Sequence, residues 1–297
     1  MSDLAGTPVG TVEALWRYPV KSMRGEAVTS SWADERGLLG DRAWAVVDSV
    51  TGKVGSAKHP KLWSRLFECQ AQFVQDPEPG QPLPPVRIEL PGGIVFMSDD
   101  PQASSLLSEF LGRPVHLASQ AQPQATYDDY WPDIENLSPE GHRDTMTQEA
   151  VSRFAPAGTF FDMSAFHVVT DTSLQALRDA APGSQIDATR FRPNITVRSP
   201  VADGTASFVE NDWPGRTLRV GPALAMRMLM PTMRCIMVTM AQPHLPSDPQ
   251  ILKALVKANR VDIPEAGKFP CIGVYGSLSR KLSAGGVVKV GDACLLG

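Results

Sequence analysis

Many signatures of catalytic and nucleotide-binding proteins are missing from this 297-residue sequence. It has no GxGxxG, Walker A or GxSxG pattern, which excludes the common dinucleotide, phosphate-loop and hydrolase motifs. Its four cysteines form no CxxC pair, and its five histidines form no HxH or HExxH pattern. These absences exclude a motif-encoded zinc site, an iron–sulfur cluster and a disulfide scaffold.

Strong charge and long apolar runs are also absent. The formal net charge is -4 and the isoelectric point is about 5.8, so general electrostatics favours neither nucleic acid nor an anionic membrane. No stretch approaches the roughly 18 apolar residues of a membrane-spanning helix, and residues 1–10 do not resemble a secretory signal. We therefore expect a cytoplasmic protein that binds neither nucleic acid nor membrane.

Short alternating segments separated by turn residues dominate what is present. The first third predicts a β-rich domain, with a turn at Thr51 and Gly52 and one packing helix that starts after Asp100 and ends at Gly112. The second half predicts more short strands and two further helices, the last capped by Asp248. This pattern favours a mainly β protein, a β-barrel with a few crossover helices, and the length suits two domains.

Residues 119–158 differ in composition from the rest of the chain. They are polar, rich in proline and glycine, and show no sustained period of 2 or 3.6. Tyr127, Tyr130 and Trp131 predict that this segment packs against the protein, because loop aromatics usually pack down. We therefore assign an N-terminal domain to residues 7–120, a packed linker to 121–158 and a C-terminal domain to 159–297.

A cluster of hydrogen-bond donors occurs in "TRFRPNITV". In an extended chain Arg190, Arg192 and Asn194 would project from one face. Pro193 donates no ladder hydrogen bond, which indicates a sheet edge or a barrel rim where a pocket can open. The residues alone leave two interpretations, a donor-lined pocket and an ordinary solvated strand face.

Two further stretches carry cationic groups on loops. Lys21 and Ser22 in "YPVKSMRGE" place an ammonium and a hydroxyl after a strand end, a pair suited to a phosphate. Arg42 follows the turn at Gly40 and Asp41 in "LLGDRAW". Taken alone, the first stretch is typical of an ordinary basic loop and the second of a surface salt bridge.

One cysteine lies in an apolar, strand-like run, "PTMRCIMVTM". If this run is extended, Cys235, Met237 and Thr239 share a face, and Pro231 places Cys235 near the start of the strand. A residue in that position can face a pocket. A free cysteine is usually a small buried hydrophobe, so both interpretations stay open at this point.

The order of several motifs resembles a known family. "RYPVKSMRGE" and "RGLLGDRAWAVVD" resemble the N-terminal β-barrel extension of MOSC proteins. "FHVVTDTSL", "ATRFRPNITV", "MRCIMVTM" and "VVKVGDACLL" resemble the MOSC domain itself. The motifs run from about residue 9 to residue 296, and the most similar group is the amidoxime-reducing type that carries a molybdenum cofactor.

This resemblance implies an N-terminal β-barrel-like extension packed on a MOSC barrel, and an enzyme that reduces N-hydroxylated compounds. The implied cofactor is Mo-molybdopterin, with Cys235 as metal ligand and catalytic residue and Asp171 as the candidate for handling protons. Electrons would come from an external reductase or a ferredoxin-like protein. The family also has an association with pyridoxal phosphate binding. The implied cofactor contacts are Lys21, Ser22, Arg42, Thr170, Asp171, Ser173, Arg190, Arg192, Asn194, Thr232, Arg234 and Cys235.

The sequence departs from the family pattern after the cysteine. The family often continues with Thr-Val-Asp-Pro, whereas this chain has Thr239-Met240-Ala241-Gln242-Pro243 and lacks the acid. This departure leaves open a module that binds the cofactor without turnover. The resemblance to the family also implies a second alternative, a sulfur carrier with a persulfide on Cys235.

Overall fold

The computed structural model describes residues 6–138, 141–200, 207–278 and 283–297. It is mainly β, with 38% of residues in strands and 18% in helices, which confirms the predicted fold class. In these four ranges, no helix combines the length and the apolar character needed to cross a bilayer.

The elements before residue 119 are strands and two short α-helices. The strands are β1 Thr7–Arg17, β2 Glu26–Val28, β3 Ser30–Asp34, β4 Gly37–Leu38, β5 Ala45–Asp48, β6 Gln70–Phe73, β7 Val86–Glu89, β8 Val95–Met97 and β9 Val115–Ala118. The helices are α1 Pro60–Trp63 and α2 Ala103–Leu111, and a 3₁₀ helix covers Ser64–Glu68.

The remaining elements follow residue 125. The strands are β10 Thr126–Trp131, β11 Thr145–Ala150, β12 Phe166–Thr170, β13 Ile195–Arg198, β14 Thr217–Val220, β15 Leu224–Met233, β16 Arg260–Ile263, β17 Gly267–Leu278, β18 Gly286–Lys289 and β19 Ala293–Leu296. The helices are α3 Asp171–Ala180 and α4 Pro249–Ala258, with 3₁₀ helices at Ala188–Phe191, Val209–Asp212 and Ile236–Thr239.

Seven strands close a barrel in the order β12, β13, β1, β19, β14, β15 and β17, and β17 then pairs with β12. Apolar side chains fill its interior, among them Leu15, Val168, Ile195 and Met226. The first strand of the chain, β1, lies between β13 and β19. The stretch that precedes the N-terminal domain core is therefore built into the C-terminal barrel.

The N-terminal region has a core of its own. Strands β6, β7 and β8 form one antiparallel sheet, and α2 packs against β9. Trp63, Phe73 and Leu107 are buried in this core. Helix α2 ends at Gly112, as the sequence predicts, because Gly112 takes the left-handed conformation (φ 67°) that favours glycine.

The linker contains structure that the sequence did not indicate. Strands β10 and β11 form an antiparallel hairpin with six paired positions. Its aromatics pack as predicted, since Tyr127 is buried and the Trp131 ring lies 6.0 Å from that of Phe269. Strand β11 alternates between exposed and half-buried positions, but its one large apolar side chain, Met146, lies at an exposed position, so the strand lacks a buried apolar face that would predict it.

Candidate functional site

A cavity of about 90 Å³ gathers side chains from both halves of the chain, and we call it the cysteine cavity. Eight of the residues that the sequence singled out line it: Lys21, Ser22, Arg42, Arg190, Arg192, Asn194, Arg234 and Cys235. The long-range contacts that assemble it are possible because β1 crosses into the barrel, which brings the loops after Arg17 beside the end of β15.

Cys235 faces the cavity for a different reason from the predicted one. Strand β15 ends at Met233, and Cys235 is the extended N-cap of the 3₁₀ helix Ile236–Thr239, so residues 234–239 are not a strand. Its side chain packs against Phe67, Met237 and Met240 but stays partly exposed, whereas the other three cysteines are buried.

The Cys235 thiol is protonated at neutral pH. Burial raises its pKa to about 11, with a contribution from the Asp129 carboxylate, while the Lys58 ammonium and the backbone N–H of Met237 act in the opposite direction. A metal that binds this sulfur must therefore displace a proton, which makes binding pH-dependent.

The arginine cluster is also not extended, which corrects the predicted strand. The Asp187 carboxylate accepts a hydrogen bond from Thr189 N at 2.8 Å and caps a 3₁₀ helix, and Arg192 then takes a left-handed conformation (φ 54°). Arg190 consequently turns into the protein, where it donates to the carbonyls of Met240 (3.1 Å) and Pro246 (2.7 Å). Arg190 thus anchors the segment that follows Cys235.

Arg42 and Arg192 approach the same aromatic ring. Their guanidinium carbons lie 4.4 Å and 4.2 Å from the ring centroid of Tyr18. Arg42 is ion-paired with Asp41, whose carboxylate also accepts from Asn194 Nδ2 at 2.8 Å. Arg192 donates to the Met23 carbonyl at 2.7 Å, and burial, together with the charge of Arg42, lowers its pKa to about 10.

Four charged side chains, two buried and two half-buried, form a network at the edge of the cavity. Lys21 is ion-paired with Asp162, and the Lys58 ammonium lies 3.0 Å from Asp129 Oδ2 and 3.7 Å from Asp162 Oδ2. Burial alone would raise the pKa of Asp162, but Lys21 and Lys58 hold it well below its usual range. The carboxylate of Asp162 is therefore ionised between two ammonium groups.

Arg234 ties three elements together beneath the cavity. It donates to the carbonyl of Ile272 in β17 (2.7 Å) and to that of Phe191 (3.0 Å), and it contacts the His167 ring Nε2. Only 8% of Arg234 is exposed, so its interactions are mainly with backbone carbonyls of the protein. In this arrangement Arg234 positions the loop of Arg192 relative to Cys235.

Four sequence-predicted contacts do not line the cysteine cavity. Thr170 and Ser173 cap α3 and bind the buried Glu210 carboxylate, and Asp171 Oδ1 accepts from the backbone N–H of Thr172 and Ser199. Thr232 is fully buried in β15. The start of α3 is occupied by its own capping bonds, so Asp171 is not placed to handle protons at Cys235.

Other lining residues were not foreseen from the sequence: Lys58, Asp162, Ser164, His167 and Tyr275. Lys58 lies in a turn and Asp162 lies between the linker and β12, and neither is in a stretch with a donor or acceptor pattern. The available signal is the pair Phe160 and Phe161, which predicts that the segment just after the linker is buried.

His167 gives the fold a defined pH dependence. Burial, the adjacent Arg234 charge and the more distant Arg42 charge lower its pKa well below 6.5, while carbonyls of Arg192 and Ile272 oppose the shift. The unfolded chain binds a proton here below about pH 6.5 and the folded chain does not, so stability falls by roughly 1.4 kcal/mol per pH unit below that value. Tyr275, 5.9 Å away, is neutral in this range because burial raises its pKa.

Urea unfolding at several pH values between 5 and 8 measures this loss directly. His167→Gln should have a flatter dependence than the wild-type chain, since it removes the titrating ring. A variant of the exposed His116, such as His116→Gln, is the control and should keep the wild-type slope. Equal slopes in wild type and His167→Gln would contradict the assignment.

Comparison with known families matches both parts of the chain. The MOSC domain matches residues 156–294, and the MOSC N-terminal beta barrel domain matches residues 9–82.

Similar proteins were found over nearly the full chain. Mitochondrial amidoxime-reducing component 1 from Mus musculus is 26% identical, over 97% of this chain and 82% of that protein. The Homo sapiens protein of the same name is 24% identical, over 97% and 83%. Among solved structures, the YUAD protein from Bacillus subtilis has a TM-score of 0.40 at 12% identity, over 97% of this chain and 95% of that chain.

Proposed function

We propose that this MOSC-domain protein, which has the MOSC N-terminal beta barrel domain before it, is a molybdenum-cofactor-dependent oxidoreductase. Its substrates would be N-hydroxylated compounds, with electrons delivered by a separate reductase or a ferredoxin-like protein. One observation carries the proposal: the single partly exposed cysteine, Cys235, faces a cavity lined by cationic side chains. The full-length similarity to amidoxime-reducing components supports the reaction type.

The donor set of the cavity fits a molybdopterin. Six cationic side chains line the cavity against one carboxylate, that of Asp162, so the lining favours a polyanion. Cys235 supplies the thiolate that a soft metal prefers. At about 90 Å³ the cavity holds only part of such a group, so binding requires lining side chains to move apart.

In this mechanism the chain binds, orients and controls protons. The cofactor, when bound, supplies the two-electron reduction that cleaves the N–O bond. Cys235 Sγ would hold the metal, and Arg192, Arg42 and Lys21 would bind the anionic portion of the group. Arg190 and Arg234 keep these residues in place through carbonyl hydrogen bonds. Lys58 holds a proton at Nζ, because Asp129 and Asp162 raise its pKa despite burial, and it replaces Asp171 as the proton-carrying group at the cavity.

Turnover is tested with protein produced with ample cofactor supply. We expect molybdenum close to one per chain and reduction of benzamidoxime to benzamidine with a reduced viologen as electron donor. Cys235→Ser should lose reduction and keep only a small fraction of the molybdenum, whereas Arg36→Met, which removes an exposed charge elsewhere, should keep both at the wild-type level.

The two alternatives give different results in the same experiment. Molybdenum without reduction indicates a binding module. No molybdenum, together with labelling of Cys235 by a sulfane-sulfur probe, indicates a sulfur carrier. The raised pKa of the Cys235 thiol disfavours the carrier, because persulfide exchange requires a thiolate.

A further inference from the structure

A second cavity lies beside the cysteine cavity, and Arg192 lines both. This second cavity has a volume of about 400 Å³. Tyr18 and Arg24 contribute to its wall from the N-terminal part of the chain, and Gln242 and Pro243 contribute from the segment after Cys235. The last two residues of the stretch in which this chain departs from its family pattern, Gln242 and Pro243, therefore form part of the wall.

Three polar side-chain atoms in this wall are buried without a partner. They are Tyr18 Oη, Arg24 Nε and Gln242 Nε2, and none has a hydrogen-bond partner among the described residues. Tyr18 is only 2% exposed, and burial raises the pKa of its hydroxyl above the usual range, so it remains protonated and can donate. Buried polar groups are rarely left without a partner, because each one costs free energy. Three such donors around one cavity indicate a ligand that accepts hydrogen bonds.

The charge of the wall also favours an anion. Arg24 donates to the Glu68 carbonyl at 3.3 Å and Arg192 to the Met23 carbonyl at 2.7 Å, and neither is within ion-pair distance of a described carboxylate. Among the described residues that line this cavity, one has a carboxylate, Asp187. Its Oδ1 accepts hydrogen bonds from Thr189 N at 2.8 Å and from Thr189 Oγ1 at 2.5 Å. Asp187 is thus used in a turn, and the two guanidinium groups are available to a ligand.

The rest of the wall is apolar and partly aromatic. Trp16, the ring of Tyr18, Pro243 and Leu245 line the cavity beside the donors. A flat apolar body would pack against these side chains while its polar end met the guanidinium groups.

From this combination we infer that the second cavity binds a small organic anion, a carboxylate or phosphate ester with a planar apolar body, distinct from the cofactor. Its oxyanion accepts from Arg24, Gln242 and Tyr18, and Arg192 adds positive charge from the wall that it shares with the cysteine cavity. A ligand there lies next to the proposed cofactor site and changes the electrostatic environment of Arg192.

The test uses ligand-observed NMR titration of the full chain with benzoate, phenyl phosphate and neutral benzamide. The two anions should bind, and benzamide should bind about tenfold more weakly or not at all, since it lacks the charge. Arg24→Met, Gln242→Leu and Tyr18→Phe should each weaken benzoate binding, and Arg24→Met by about tenfold or more. Arg36→Met removes the same charge from an exposed turn and should bind benzoate as the wild type does.

Molybdenum content, measured on the same variants, decides whether the second cavity binds a separate anion or the phosphate end of the cofactor. Unchanged molybdenum in Arg24→Met and Gln242→Leu, with weakened benzoate binding, supports a separate ligand. Loss of molybdenum in these variants would assign the cavity to the phosphate end of the cofactor and overturn the inference. Equal benzoate affinity in Arg24→Met and Arg36→Met would also overturn it. If wild-type protein produced with ample cofactor contains no molybdenum but binds benzoate, that result contradicts the proposed function and leaves the inference about the second cavity supported.

Discussion

Replacing Arg234 with methionine should lower the free energy of unfolding by about 3 kcal/mol, one of the two largest effects on stability that we expect from a single change at the site. The reason is the set of acceptors that the guanidinium serves. The carbonyls of Ile272 and Phe191 and the His167 ring would lose their donor inside the protein, where water cannot replace it. In thermal unfolding, the midpoint should fall by roughly 5 to 10 °C.

Two further variants make the Arg234 result specific. Arg234→Lys keeps the charge but cannot form the same set of hydrogen bonds, so its stability should lie between wild type and Arg234→Met. Arg198→Met removes a largely exposed guanidinium paired with Glu13 and should change stability by less than about 0.5 kcal/mol. If Arg234→Met unfolds within about 0.5 kcal/mol of wild type, the positioning role of Arg234 is wrong.

Asp162→Asn should be comparably destabilising, by about 3 kcal/mol, because it leaves two ammonium groups without their shared carboxylate. Lys21 would lose its ion pair, and Lys58 would keep Asp129 as its ion-pair partner and Tyr127 Oη as a hydrogen-bond acceptor. Lys21 is 4% exposed, so solvent cannot compensate. Urea unfolding of the purified variant measures the loss.

A double-mutant cycle separates the ion pair from other effects of Asp162. Asp162→Asn combined with Lys21→Met removes both charges, so the double variant should be more stable than Asp162→Asn alone. Asp133→Asn is the matched control, since its ion pair with Arg143 is exposed and contributes little. Strict additivity of the two single changes would show that Lys21 and Asp162 do not interact as an ion pair.

Capping residues in the sequence predicted the start of helix α4 correctly. Helix α4 begins at Pro249 with the Asp248 carboxylate accepting from Gln250 N at 2.9 Å, as the sequence indicates. The hairpin of β10 and β11 was missed because neither strand alternates regularly between apolar and polar residues: β10 has Asp128 next to Asp129, and the one large apolar residue of β11, Met146, is exposed. Helix α2 begins at Ala103 rather than directly after Asp100. The number of short strands predicts a barrel. The position of β1 between β13 and β19 depends on contacts between residues far apart in the sequence, so no local pattern predicts it.

The sequence identified most of the residues that line the cavity but not the backbone conformation that brings them there. Arg190, Arg192 and Asn194 reach the cavity, yet through a 3₁₀ helix and a left-handed Arg192 rather than through one strand face. Lys58 and Asp162 lie far apart in sequence and meet only in the folded chain, where their charges compensate each other. No periodicity in a single segment can reveal such a pair. Asp171, by contrast, lies in a motif that suits an anion site, but its carboxylate accepts hydrogen bonds from the backbone N–H groups of Thr172 and Ser199 at the start of α3.

X-ray absorption at the molybdenum edge measures whether Cys235 binds molybdenum through its sulfur, as we propose. Cys235→Ser that retains some metal is compared with wild type. We predict that the wild-type spectrum requires one more sulfur ligand than the dithiolene of the cofactor provides, and that this ligand is lost in Cys235→Ser. The same number of sulfur ligands in both proteins would contradict the assignment of Cys235 as the metal ligand.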